Sequence, residues 1–79
     1  MSSQYLDFVL VRDTGKTHVY GVDSRSQGTR LALIRWYGAW RQYVIEPEAG
    51  TIWNATCLQD VISFIAGLME ARRFRGGAA

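Results

Sequence analysis

Two side chains in this sequence have the intrinsic reactivity for nucleophilic or acid–base chemistry, and each occurs once, as Cys57 and His18. A thiolate paired with an imidazole makes an acyl-transfer or redox nucleophile. Thr56-Cys57-Leu58-Gln59 fits a capping box, which places Cys57 in the first turn of a helix, where a thiol pKa is lowered. Its apolar setting points instead to packing, and His18, on a strand beside a turn, reads as a surface residue. One His, one Cys and scattered carboxylates give no metal-ligand spacing. Glu46 and Glu48 flank Pro47 and read as the solvated rim of a turn. Gly15-Lys16-Thr17 matches the end of a phosphate loop, but the upstream glycine is missing. The residues therefore predict a protein that is not an enzyme, with no catalytic group, no metal and no cofactor.

Chemistry of contact is concentrated in Ile34-Arg35-Trp36-Tyr37-Gly38-Ala39-Trp40-Arg41-Gln42-Tyr43, which holds two Trp, two Tyr and two Arg. These types dominate the energy of recognition surfaces, and Arg planes and aromatic faces also stack on bases. Strand alternation sets Arg35 and Tyr37 on one side, and Arg41 and Tyr43 repeat the arrangement on the next strand. These four are the expected contact residues, with Arg25 and Arg30 as a second set. Trp36, Trp40 and Trp53 are assigned to the core. The bases are eight arginines against the single Lys16. Arginine supplies a planar fork of donors, although a GC-rich coding sequence produces the same bias.

The elements that must position these groups follow from periodicity. Tyr5 to Arg12, Thr17 to Asp23, Thr29 to Tyr37 and Trp40 to Glu46 alternate as strands. They are separated by Asp13-Thr14-Gly15-Lys16, by Ser24 to Gly28 and by Gly38-Ala39. Pro47-Glu48-Ala49-Gly50 turns the chain, and Thr51-Ile52-Trp53 is a short fifth strand or an extended lead-in. Leu58, Val61, Ile62, Ile65, Leu68 and Met69 then recur at helical spacing. Thr56 is the expected N-cap with Asn54 competing, and Arg72 and Arg73 suit the negative end of the helix dipole. The expected architecture is α+β: a four- to five-stranded antiparallel meander with one C-terminal helix packed on one face. The other face is left open as a binding surface.

The 79 residues allow one domain, expected over 1–79 with 74–79 as a flexible tail. Hydrophobic residues make up 48% of the chain, which favours a folded core over disorder. A single cysteine excludes an internal disulfide and suits a reducing compartment. Met1 to Asp7 shows no signal-peptide pattern, and no apolar stretch approaches the ~20 residues of a membrane span. A cytoplasmic protein, monomer or dimer, with no membrane association is expected. The net charge of +2 gives weak attraction to a phosphate backbone.

The stretch Ile34 to Tyr43, with Glu46-Pro47, Gly50-Thr51-Ile52-Trp53-Asn54, Cys57-Leu58 and Ile62-Ser63-Phe64-Ile65, resembles short proteins encoded by phages and prophages. That resemblance implies a role in host takeover or counter-defence within the host cytoplasm. The sharpest member of that class is an anti-CRISPR protein. The implied function is a non-enzymatic inhibitor that occludes a host protein complex, most specifically the subunits of a CRISPR-Cas effector. Global DNA mimicry is disfavoured by the basic balance, leaving a local patch around Asp13, Asp23, Glu46 and Glu48. A small nucleic-acid-binding module using the same Arg/Tyr face is the alternative, and an assembly role in the phage particle is a third.

Overall fold

Four short alternating segments and one longer segment of helical period build the molecule. The computed structural model describes the backbone of residues 5–77 and the side chains of residues 5–73. Strand β1 spans Leu6–Asp13, β2 His18–Ser24, β3 Arg30–Tyr37 and β4 Gln42–Pro47; helix α1 spans Ala55–Gly77. Each strand pairs antiparallel with its sequence neighbour, in the order β1-β2-β3-β4. The α+β meander with one C-terminal helix is thus the observed fold. Residues 51–54 are the extended lead-in to the helix, not a fifth strand. Helix α1 continues through Gly77, into the segment expected as a tail, and residues 78–79 lie outside the described ones.

Local chemistry explains the strand ends. Asp13 Oδ1 accepts the Gly15 N–H at 2.8 Å, and Gly15 takes a φ of 92°, which side chains disfavour. The ladder carries two irregularities. Val11 is extra between Leu10 and Arg12, and Leu31 is extra opposite the Val22–Asp23 step.

The register stacks Phe8, Val22 and Ala32 across the first three strands, and Tyr20, Ile34 and Ile45 across the last three. These residues share the face covered by α1. The core comprises Leu6, Phe8, Val22, Ala32, Ile34 and Tyr43 from the sheet, with Val61 and Phe64 from the helix. Phe64 is the central contact. Its ring lies parallel to Phe8 with centroids 4.3 Å apart and meets Tyr20 edge-on at 4.9 Å.

Seating Phe64 at the centre sets the rotation of the helix. The inward stripe is Cys57, Val61, Phe64, Ile65, Leu68 and Met69, whereas Leu58 and Ile62, expected inside, are 45% and 59% exposed. The cap also differs from the capping-box expectation at Thr56. Asn54 Oδ1 accepts the Cys57 N–H at 2.8 Å, so the helix starts at Ala55. An Asn cap at this position satisfies the free amides two residues earlier than Thr56 would. Trp53 is held before it, donating from Nε1 to Thr51 Oγ1 at 2.9 Å.

Phe64→Ala is expected to cost about 3–4 kcal/mol, the usual range for emptying a buried ring site. Ile62→Ala should stay within about 0.5 kcal/mol, as exposed positions do. Urea denaturation compares the two, and equal losses would contradict this helix rotation.

Candidate functional site

Alternation sends the residues between the core positions to the face opposite α1. In register order this open face presents Asp7 beside Asp23 and Arg30, Val9 beside Gly21, Leu33 and Glu46, then Arg35 beside Val44 and Tyr37 beside Gln42. Arginine–carboxylate pairs cross it. Arg30 holds Asp23 with Nε and Nη2 at 2.6 and 3.3 Å, and Arg35 holds Glu46 with Nε and Nη2 at 2.5 and 3.0 Å. Arg25 reaches Asp7 at 3.6 Å. Both bidentate pairs use the planar fork that only arginine offers.

Gly21 lets one of these pairs lie flat. A Cβ at this position would come within 2.5 Å of the Arg30 guanidinium carbon, so the arginine crosses the sheet where a side chain is missing. Arg35 is also braced, its guanidinium carbon 5.9 Å from the centre of the Tyr37 ring. Hydrogen bonding to Arg35 holds the Glu46 carboxyl below the usual carboxylate range, and the same bond raises the Arg35 pKa. The hydrogen bond with Asp23 likewise raises the Arg30 pKa.

Of the expected contact residues, Arg25, Arg30, Arg35 and Tyr37 come together on this face. Arg41 and Tyr43 do not. The β3–β4 turn takes four residues, with Trp40 N–H bonded to Tyr37 O and Arg41 N–H to Gly38 O, both at 3.2 Å, and Arg41 at a φ of 54°. Strand β4 therefore begins at Gln42, later than its expected start at Trp40, and its side chains take the opposite phase. Tyr43 points to the helix side, 6% exposed, edge-on to Trp36 at 5.5 Å, with its hydroxyl accepting the His18 N–H at 3.2 Å. Trp36 and Trp53 pack against the core as expected, but Trp40 is 66% exposed at the turn tip, edge-on to Tyr37 at 5.0 Å. The sequence does not reveal Trp40 as a surface residue, because a bulky residue two positions after a glycine looks like the start of a strand.

A second feature lies at the end of the sheet where the β1–β2 and β3–β4 turns meet the C-terminal part of α1. A groove of about 840 Å³ opens there, lined by Lys16, Arg41, Arg72 and Arg73 together with Trp36, Tyr20 and His18. The Arg72 guanidinium lies 4.0 Å over the Trp36 ring and donates to Lys16 O at 3.3 Å. His18 belongs to this groove, whereas Cys57 lines a hollow with Tyr5, Leu6 and Asn54 at the helix N-terminus. The two reactive side chains are thus at opposite ends of the helix and form no catalytic pair. Among the described residues, no group of three or more His, Cys, Asp and Glu is placed to hold a metal. No helix among them is long and apolar enough to cross a membrane.

Size and sequence agree with one relative. The chain is 33% identical over 73 residues to an uncharacterized 9.3 kDa protein of Acholeplasma phage L2, covering 91% of this chain and 94% of the relative. The chain belongs to the family of that phage protein. No protein-family model matches it, and no solved structure does. The phage resemblance read from the aromatic run is therefore correct at the level of a small phage protein. In this phage protein the aligned length takes in nearly the whole domain, so the kinship applies to sheet and helix together.

The Arg35–Glu46 pair makes a titration test. Because the folded pKa of Glu46 is depressed, its contribution is present above the unfolded value and is lost as pH falls through the folded one. Carboxyl-carbon NMR should show Glu46 titrating below the ordinary value of about 4.3. In Arg35→Ala it should return toward that value, and an unchanged midpoint would mean the pair does not persist in solution.

Proposed function

We propose that this phage protein is a non-enzymatic binding protein that docks on a host protein complex through its open sheet face and hairpin tip. It acts by stoichiometric occlusion, and a host defence complex of the CRISPR-Cas effector kind is the target the reading selects first. The observation that carries it is the set of guanidinium planes of Arg30 and Arg35, each fixed by two hydrogen bonds, on the face whose turn end carries Tyr37 and the exposed indole of Trp40. Arginine, tyrosine and tryptophan are the side chains that anchor protein interfaces. Groups already held in place lose less freedom on binding.

Charge favours a protein partner over a phosphate backbone at this face. Arg25, Arg30 and Arg35 each stand beside an acid, so the surface is close to neutral as a whole. Phosphate binding would have to displace those carboxylates. The acid patch suggested for DNA mimicry gains no support either, since Asp23 and Glu46 are bound to arginines and Asp13 to Gly15 and His18.

The first experiment uses the tagged protein as bait in nuclease-treated lysate of a CRISPR-bearing host, followed by binding to the purified complex recovered. Near-equal amounts of effector subunits support the reading, and recovery of phage structural proteins instead would move it to an assembly role. Arg35→Ala and Trp40→Ala should each weaken that binding by about fivefold or more, as anchors do, with the fold intact by circular dichroism. Losses within twofold for both would remove this face from the interface.

A further inference from the structure

We propose that the groove at the turn end binds a short stretch of single-stranded nucleic acid, a site separate from the open sheet face. Three parts of the chain converge on it. Lys16 comes from the β1–β2 turn, Arg41 from the β3–β4 turn, and Arg72 and Arg73 from the helix, and no carboxylate is among the lining residues. Two acids stand nearby. Glu70 pairs with Arg73 at 3.3 Å, and Asp13 with His18 at 3.5 Å. Lys16, Arg41 and Arg72 have no acid partner among the described residues, in contrast to the three arginines of the open face. Three cations without an acid partner thus gather here, although the net charge of the whole chain is only +2.

The walls supply what the charges lack. The Arg72 guanidinium carbon lies 4.0 Å from the centre of the Trp36 ring and both side chains line the groove, which sets a flat cation and an aromatic ring in its wall for a base to stack against. His18 and Tyr20 continue the wall. Stacking on such a platform tolerates any base, because every base has a π-face. A volume of about 840 Å³ is in the range of small-ligand sites and too confined for a duplex.

A strand fits better than a free nucleotide. Sites for a single phosphate gather backbone amides at a helix N-terminus or a glycine-rich loop, and this groove meets the helix at its C-terminal part. Its cations stand on three separate elements, an arrangement that follows successive phosphates along a backbone. Arg41 also occupies a backbone conformation, φ 54°, in which glycine is favoured. A guanidinium is thus carried at a turn position where its residue type is not the one the backbone prefers.

That conformation provides a clean variant. Arg41→Gly removes the charge while easing the turn, so its thermal midpoint should be unchanged or higher. Fluorescence anisotropy of labelled dT10 with the full chain is the assay. Three to four phosphate contacts predict that affinity falls about 20- to 50-fold between 50 and 200 mM salt, from the single-strand slope of about −0.7 per contact. Arg41→Gly should weaken binding and make that salt slope shallower by about 0.7, while Arg35→Ala should leave dT10 binding within twofold. No binding at low salt, or an unaltered slope in Arg41→Gly, would overturn the proposal. Adenosine monophosphate competing as well as dT10 would make the site a nucleotide pocket, and polyglutamate competing as well would make it an acidic-peptide site. Either result refutes a strand. Because the open-face reading is tested with Arg35→Ala and Trp40→Ala on a protein complex, the two can fail independently.

Discussion

The structure depends on one helix covering one sheet through Phe64. A four-stranded sheet is wider than a single helix, since strands lie about 4.8 Å apart and a helix with side chains is about 10 Å across. Only a large flat side chain at the centre of the contact closes that gap, and Phe64 does so by lying on Phe8 and against Tyr20. Leu10, on the same side of the sheet but at its edge, remains 53% exposed because the cover stops short of it. With one helix spent on one face, the other face has no apolar cover among the described residues. Its composition reflects this, with arginine–carboxylate pairs standing around Val9, Leu33 and Val44.

The same helix divides the molecule along its length. It begins near the β2–β3 turn, where Asn54 and Cys57 lie by Ser24 and Arg25, and reaches the other end of the sheet where Arg72 meets Lys16. Basic side chains are thereby sorted into two kinds. Those on the sheet face are held by acids and serve geometry, whereas at the far end Lys16, Arg41 and Arg72 stand without an acid partner among the described residues. Surface ion pairs contribute little to stability in general, so the pairing of Arg30 and Arg35 matters for where their planes point.

Much of the fold was readable because the meander uses local signals. Asp13-Thr14-Gly15 marks a turn by its own hydrogen bonding, and the alternation in Arg30–Tyr37 has one register that buries Ala32 and Ile34. The phase of β4 was not readable. It depends on whether the turn ends at Ala39 or Arg41, and an arginine in a left-handed conformation gives no glycine or asparagine signal. That uncertainty placed Tyr43 outside and Trp40 inside, the reverse of what is observed. The helix stripe was misplaced for a related reason: Leu58 and Ile62 fit the helical period as well as Phe64, and only the ring stacking decides between them. The groove was illegible in principle, since Lys16, Arg41 and Arg72 lie far apart in sequence and meet only once the topology is known.

The meander also governs the order in which the chain can be assembled. The first three connections span only four or five residues, so each hairpin closes at small entropic cost and contacts stay local in sequence. Such chains fold fast. The sheet, however, has nothing to lay its apolar face against until the last third of the chain arrives, since Val61 and Phe64 come after every strand. During synthesis the hairpins can therefore form and dissolve on the emerging chain, and the helix acts as the latch that makes the fold permanent.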